Sequence, residues 1–451
     1  MATAKSRLIA RPGEARGIPI SGRDLICLHM RTVAYLGPIE APSPDQVRGA
    51  LRRLAELYPA HRILRRVDRA APRWLTVPAA ELPGHCDAMV IDMTDTTAAS
   101  ATSASATADH SAATPETIVA RLYNWPVTNL PFQIAVGADF CALLVDHACI
   151  DGLSINEIWS ELIRCAVTGE YPVAIAKPSV RFPLIRALDN YYRRKPKRLL
   201  ETVRVPHPVP PADTAEPGPL VPWHQEFGVV SVRFGKDVLA EIRSWRLANA
   251  KGITRTMVLF AAARAALETS DLPPVRPGVN ISVDMRKFLP QGAVLYGNFA
   301  PSIYVCPADG CDPAQLNEVI DEVMSVARPL ATMALVASTA KRRFKRTAQP
   351  PTLAETTARP ALSLIHCGRL KAFEKLPWTG SPADRRYLIG STPGDPDGIS
   401  VFISEIHGGV DVTATFNAST FDPAVVRGAL EILATEPTRA LDARRQVPSA
   451  R

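Results

Sequence analysis

The sequence predicts a mixed α/β fold arranged in two halves, and three observations carry that expectation. The chain has 451 residues, more than one hydrophobic core usually serves and comfortable for two. Apolar runs of strand length alternate with helical patterns up to about residue 172 and again from about 222. Between them the chain is rich in proline and basic residues (YYRRKPKR, then VRVPHPVPPADTAEPGPLVPW), which reads as a crossover linker.

Thr32 to Leu36 reads as a strand closed by Gly37-Pro38. Ser43 is then an N-cap, with Pro44 in the first helical position and Gln46 completing a capping box. Val47, Leu51, Leu54 and Leu57 recur at helical spacing. Residues 97 to 115 are almost wholly Ala, Ser and Thr and read as a flexible surface insertion without the side chains for a core. Phe132–Val136 and Phe140–Val145 flank Gly137-Ala138-Asp139 as a hairpin. In the second half, strands are expected at Gly228–Phe234, Gly278–Asp284, Pro301–Val305, Ile399–Glu405 and Gly409–Phe416. Helices are expected at Asp237–Ala248, Thr254–Glu268, Pro313–Ala327 and Pro423–Ala434.

Composition excludes several classes. With 47% apolar and 21% charged residues, the chain is globular rather than disordered. The net charge of +8 (52 − 44) is spread over the chain and fits an anionic small ligand or acidic partner rather than nucleic acid. The start of the chain lacks an apolar signal core, and no window is long and apolar enough to span a membrane. None of the eight cysteines forms a C-x-x-C pair, so reduced, buried thiols and a cytoplasmic monomer are expected. Histidine spacing gives no metal motif, and the glycine-rich loop Gly390 to Gly398 lacks the lysine of a phosphate cradle.

Leu143-Leu144-Val145-Asp146-His147-Ala148-Cys149-Ile150-Asp151-Gly152-Leu153-Ser154 carries the chemistry. A strand delivers His147 to a turn, and Ser154 to Glu157 reads as the capping box of the following helix. The unpaired N–H groups of that helix should keep the imidazole neutral and basic, while Asp151 and Gly152 fix the turn. Arg193 to Arg198 and Lys341 to Arg346 are basic runs suited to phosphate or to an acidic carrier.

The segment DHACIDG resembles the HHxxxDG signature of the condensation-domain superfamily, whose members include nonribosomal-peptide condensation domains and polyketide-associated acyltransferases. Asn280 to Arg286 is similar to the family's second-lobe strand, Tyr296-Gly297-Asn298 to its YGN turn, and Ser363 to Leu370 to its SNxG strand. His61 to Arg65 is similar to its RHPxLR segment. Asp146 stands where the first histidine of the signature would be, and His366 where the asparagine of SNxG would be.

The resemblance implies two chloramphenicol-acetyltransferase-like lobes: residues 1–175, then the linker 176–222, then residues 223–451. It implies an acyltransferase in which His147 is the general base, acting on an acyl thioester with a hydroxyl or amine as acceptor. Asp151, Gly152 and Arg286 support the site, the first and last as an ion pair. Asn298 and His366 are candidate oxyanion or substrate contacts. The co-substrate would be acyl-coenzyme A or an acyl-phosphopantetheinyl carrier protein, with no cofactor held permanently and no metal. A silent module that recruits partner proteins is the alternative.

Overall fold

The computed structural model describes residues 17–98, 112–204, 218–346, 351–355 and 358–446. The chain runs through α1 (Gly22–Leu25), β1 (Arg31–Gly37), α2 (Pro44–Leu57), β2 (Val90–Met93), α3 (Pro115–Tyr123), β3 (Phe132–Gly137), β4 (Cys141–Asp146) and α4 (Gly152–Thr168). Two helices, α5 (Pro183–Tyr192) and α6 (Pro196–Arg204), precede β5 (Phe227–Phe234), α7 (Lys236–Asn249), α8 (Arg255–Thr269), β6 (Val279–Ser282) and β7 (Ser302–Val305). The remainder is α9 (Pro313–Ser325), α10 (Arg328–Arg346), β8 (Ala361–Arg369), β9 (Arg386–Ser391), β10 (Gly398–Ile406), β11 (Gly409–Asn417) and α11 (Pro423–Thr435).

Two mixed sheets dominate. One has the order β9-β1-β4-β3-β2, the other β5-β11-β10-β8-β6-β7. In the first, β1 and β3 both run antiparallel to β4, which places Arg31 opposite Asp146 at the strand end that carries His147. Every residue of β4 is buried, and so is every residue of β9 and of β11. Strands covered on both faces read as continuous apolar runs, which is why β4 is visible in the sequence and why alternation is lost.

β9 departs from the expected organisation. It lies within residues 223–451 yet pairs with β1, Arg386 opposite Gly37. The first core accordingly takes Tyr387, Ile389, Phe402 and Ile406 alongside Val47, Leu51 and Ile158. Tyr387 also donates its hydroxyl to Asn156 on α4 at 2.6 Å. A single edge strand of six residues has no local pattern that says which sheet it will join.

Much of the described part of the expected linker is helical. Pro183 and Pro196 open α5 and α6 at positions where a missing N–H costs nothing, so these prolines start helices rather than prevent them. Ala187 and Tyr192 of α5 pack with Met285, Phe288, Leu289 and Phe299, and Asn190 donates to the Phe288 carbonyl at 3.0 Å. Residues 205–217 of the linker, and residues 99–111 of the expected insertion, lie outside the described residues. The ends of that insertion, Thr97–Ala98 and Ala112–Ala113, pair as a short parallel ladder. Other elements match closely: Ser43 and Gln46 form both bonds of the capping box, although Leu57 at the end of α2 is exposed. Helix α10, unanticipated, follows α9 after a break at Val326-Ala327.

None of the eight cysteines is in a disulfide; five are buried and Cys27, Cys306 and Cys367 half-buried. No single helix among the described residues is long and apolar enough to cross a membrane. Among those residues no group of three or more His, Cys, Asp or Glu is arranged to hold a metal ion.

Candidate functional site

His147 follows the last residue of β4, and its backbone N–H donates to the Met30 carbonyl at 2.8 Å. The turn then reaches Asp151, which is the N-cap of α4: its Oδ1 accepts from the Ser154 N–H at 3.1 Å. The helix therefore begins at Gly152, three residues before the expected start, and Ser154 is not the cap. An aspartate at the N-cap satisfies orphan donors as well as a serine does, and a second charge demand selects it here.

That demand is Arg286. Its Nη2 donates to Asp151 Oδ1 at 2.8 Å and its Nη1 to Oδ2 at 3.0 Å, a two-pronged pair between residues 135 apart. The Phe299 N–H adds a third bond to Oδ2 at 2.9 Å. Burial alone would push the Asp151 carboxyl upward; Arg286 and these two N–H groups outweigh it and hold it below the usual range. Freed from capping, the Ser154 hydroxyl accepts from Arg286 Nη2 at 2.9 Å and from the Gly297 N–H at 3.3 Å. Ser154 is thus a site residue that the sequence reading assigned elsewhere.

Asn298 lies against the imidazole. His147 Nδ1 and Asn298 Oδ1 are 3.0 Å apart, and Asn298 Nδ2 donates to the His147 carbonyl at 2.7 Å and to Asp24 Oδ1 at 3.3 Å. Both amide protons are therefore committed. The sequence expectation for Asn298 is an oxyanion or substrate contact; in this arrangement its amide protons go to the His147 carbonyl and Asp24, and its oxygen faces the ring.

The imidazole is also not held neutral as expected from the helix end. Burial works to lower its pKa, but the neighbouring Cys27 sulfur, the histidine's own carbonyl and the Asp151 charge together raise it to about 9. Nearby full charge outweighs the partial charge of a helix terminus.

The remaining expected residues fall elsewhere. Asp146 is buried and pairs with Arg69, which explains how an acid replaces the first histidine of the motif without entering the site. His366 sits on β8 at a register shift, with Nδ1 accepting from the Gly368 N–H at 3.1 Å and Nε2 3.3 Å from Glu405 Oε1. His366 thus lies beside Gly368 and Glu405, on β8 and β10. Two further residues do join His147 and Asn298: Asp24, which the sequence did not mark, and Arg62 of the His61–Arg65 segment. Asp24 is 1% exposed, and Arg62 pairs with its Oδ2 at 2.9 Å.

No protein-family model and no curated protein matches this chain. Solved structures do. The trichothecene 15-O-acetyltransferase of Fusarium sporotrichioides superposes with a TM-score of 0.59 at 12% identity, covering 94% of this chain and 95% of the other. The first condensation domain of the CDA synthetase gives 0.53 at 12% identity, covering 96% and 97%. The epimerization domain from the third module of tyrocidine synthetase B gives 0.52 at 11%, covering 95% and 98%. The chain has the chloramphenicol-acetyltransferase-like fold that these proteins share. Within it, the site-bearing motif is DHACIDG.

Proposed function

We propose that the protein is an acyltransferase of the condensation type, transferring an acyl group from a thioester to a hydroxyl or amine. The observation that carries this reading is the imidazole of His147, aimed by Asn298 on one side and fixed at its turn by the Asp151–Arg286 pair on the other. Residues 1–175 and 223–451 would act as the two lobes, with 176–222 joining them, and the substrates would meet His147 between them. A neutral imidazole takes the acceptor's proton as the oxygen or nitrogen attacks the thioester carbonyl. A new ester or amide bond forms, the carbon–sulfur bond breaks, and the proton passes to the departing thiolate. A thiolate is a good leaving group, so one positioned base suffices.

The donor's handle would be the phosphates of coenzyme A or a phosphopantetheinyl carrier protein. Arg193, Arg194, Lys195 and Lys197 beside α5 are exposed and free to meet an anionic surface. Purified protein incubated with acyl-coenzyme A or acyl-carrier donors and candidate acceptors, read by intact mass, tests the activity. Acyl transfer that disappears in His147→Ala supports the reading; transfer at the wild-type rate in that variant removes His147 as the base.

A further inference from the structure

Asp24, Arg62 and Asn298 form one connected network ending on the His147 ring, and Asp24 lies outside every motif of the sequence. Asp24 accepts from the Ser21 hydroxyl at 2.6 Å, from Arg62 at 2.9 Å and from Asn298 Nδ2 at 3.3 Å. Arg23 Nε lies 3.6 Å from Oδ1, the oxygen that accepts from Asn298. Burial would raise the Asp24 carboxyl, but Arg62 and Arg23 hold it low and ionised. Arg62 in turn donates to the Ala148 carbonyl at 2.7 Å and to the Cys149 carbonyl, so it grips the turn directly after His147. Its guanidinium rests over the Trp74 ring, 5.2 Å from the centroid.

The position of α1, which carries Asp24, is itself fixed by close packing. A Cβ at Gly22 would lie 2.0 Å from the Ala337 carbonyl oxygen, so only glycine lets α1 approach α10 this closely.

The polarity of the Asn298 amide follows from this surround. On one side it faces two acceptors, the His147 carbonyl and the Asp24 carboxylate, neither of which has a proton to give. The NH₂ group must therefore lie there, and the oxygen must face His147 Nδ1. An amide oxygen accepts only, so Nδ1 carries the proton and Nε2 holds the lone pair.

We infer that Asp24 is a positioning residue that sets the His147 tautomer through Asn298, leaving Nε2 as the atom that receives the acceptor's proton, with Arg62 tying Asp24 to the histidine turn. This rests on His147 as the base, yet it is read without turnover, so its failure and the failure of that reading are separable.

The test is two-bond ¹H–¹⁵N correlation on histidine-labelled full-length protein above the His147 titration, with His147→Gln identifying the signal. The expected wild-type pattern is a protonated Nδ1 and a bare Nε2, with both Asn298 side-chain protons exchanging slowly. Asp24→Ala removes the charged one of the two acceptors and should let the Nε2–H tautomer appear beside the Nδ1–H form that the His147 carbonyl still favours, with a kcat lowered roughly tenfold, part of what a positioned base supplies, and little change in KM. Asp24→Asn keeps an oxygen facing Asn298 and should restore the Nδ1–H form. A proton on Nε2 in the wild type, rapid exchange of an Asn298 amide proton, or an unchanged tautomer in Asp24→Ala would each overturn the inference. Two of these outcomes need only wild-type protein, so a variant that fails to fold does not protect the idea.

Discussion

The Asp151 carboxylate binds Arg286 through both of its oxygens, at 2.8 and 3.0 Å, while the same Asp151 Oδ1 caps α4. One side chain thus starts the helix behind the turn that carries His147 and fastens that turn to a segment 135 residues away. The orientation of His147 depends on a contact that neither segment could make alone.

Removing the charge tests this fastening. Asp151→Asn should leave Arg286 without its buried carboxylate, with the half-exposed Asp284 at 3.0 Å as the acid beside it. Breaking a buried pair on one side costs about 3–5 kcal/mol. A lower melting temperature and a lower kcat should appear together in thermal denaturation and in rate assays; a variant as stable and active as wild type would show that the pair is dispensable.

Deleting the imidazole should remove the chemistry while leaving the fold in place. His147→Ala is expected to fold, judged by circular dichroism and melting, and to lose roughly a hundredfold or more in kcat.

The pH dependence has a definite sign. A pKa raised from 6.5 to about 9 means that the imidazole carries its proton at neutrality. The rate should therefore climb with pH through about 9. Cys27 is the largest of the influences that raise it. Cys27→Ala should move the limb to lower pH and increase the rate at pH 7. The same shift contributes stability that is fully present below pH 6.5 and lost as pH rises through about 9. A profile of kcat/KM against pH for both proteins decides it.

Glu405 gives the opposite sign. His366, together with Arg255, holds its carboxyl at about 2 against an ordinary 4.5. The stability from this pairing is present above pH 4.5 and lost as pH falls toward 2. His366→Ala should lower the melting temperature at pH 7 more than at pH 2.5, with KM values unchanged. A large rise in a substrate KM would return His366 to the binding site.

The donor's electrostatics are open to a direct measurement. Changing Arg193, Arg194, Lys195 and Lys197 to Gln should raise the donor KM with little effect on kcat, and added salt should mimic the change by screening. A donor KM indifferent to both would make these residues bystanders.

The sequence by itself determined the elements whose signals are local. The capping box at Ser43, the hairpin before His147 and the buried helix after Thr254 follow from spacing and caps, and the DHACIDG motif marked its own histidine and aspartate. The Asp151–Arg286 pair was legible too, through resemblance, because both residues sit in recognisable motifs. Only tertiary structure decided that β9 joins the first sheet, that α5 and α6 fill the supposed linker, and that Asp24 and Arg62 stand behind His147. It also decided the character of Asn298 and of the imidazole. Whether an amide is a donor to substrate or a clamp on a histidine depends on which acceptors surround it. Whether a histidine is neutral depends on the charge beside it. Both are set by residues such as Asp24 and Cys27, more than a hundred positions away, and carried by no local pattern.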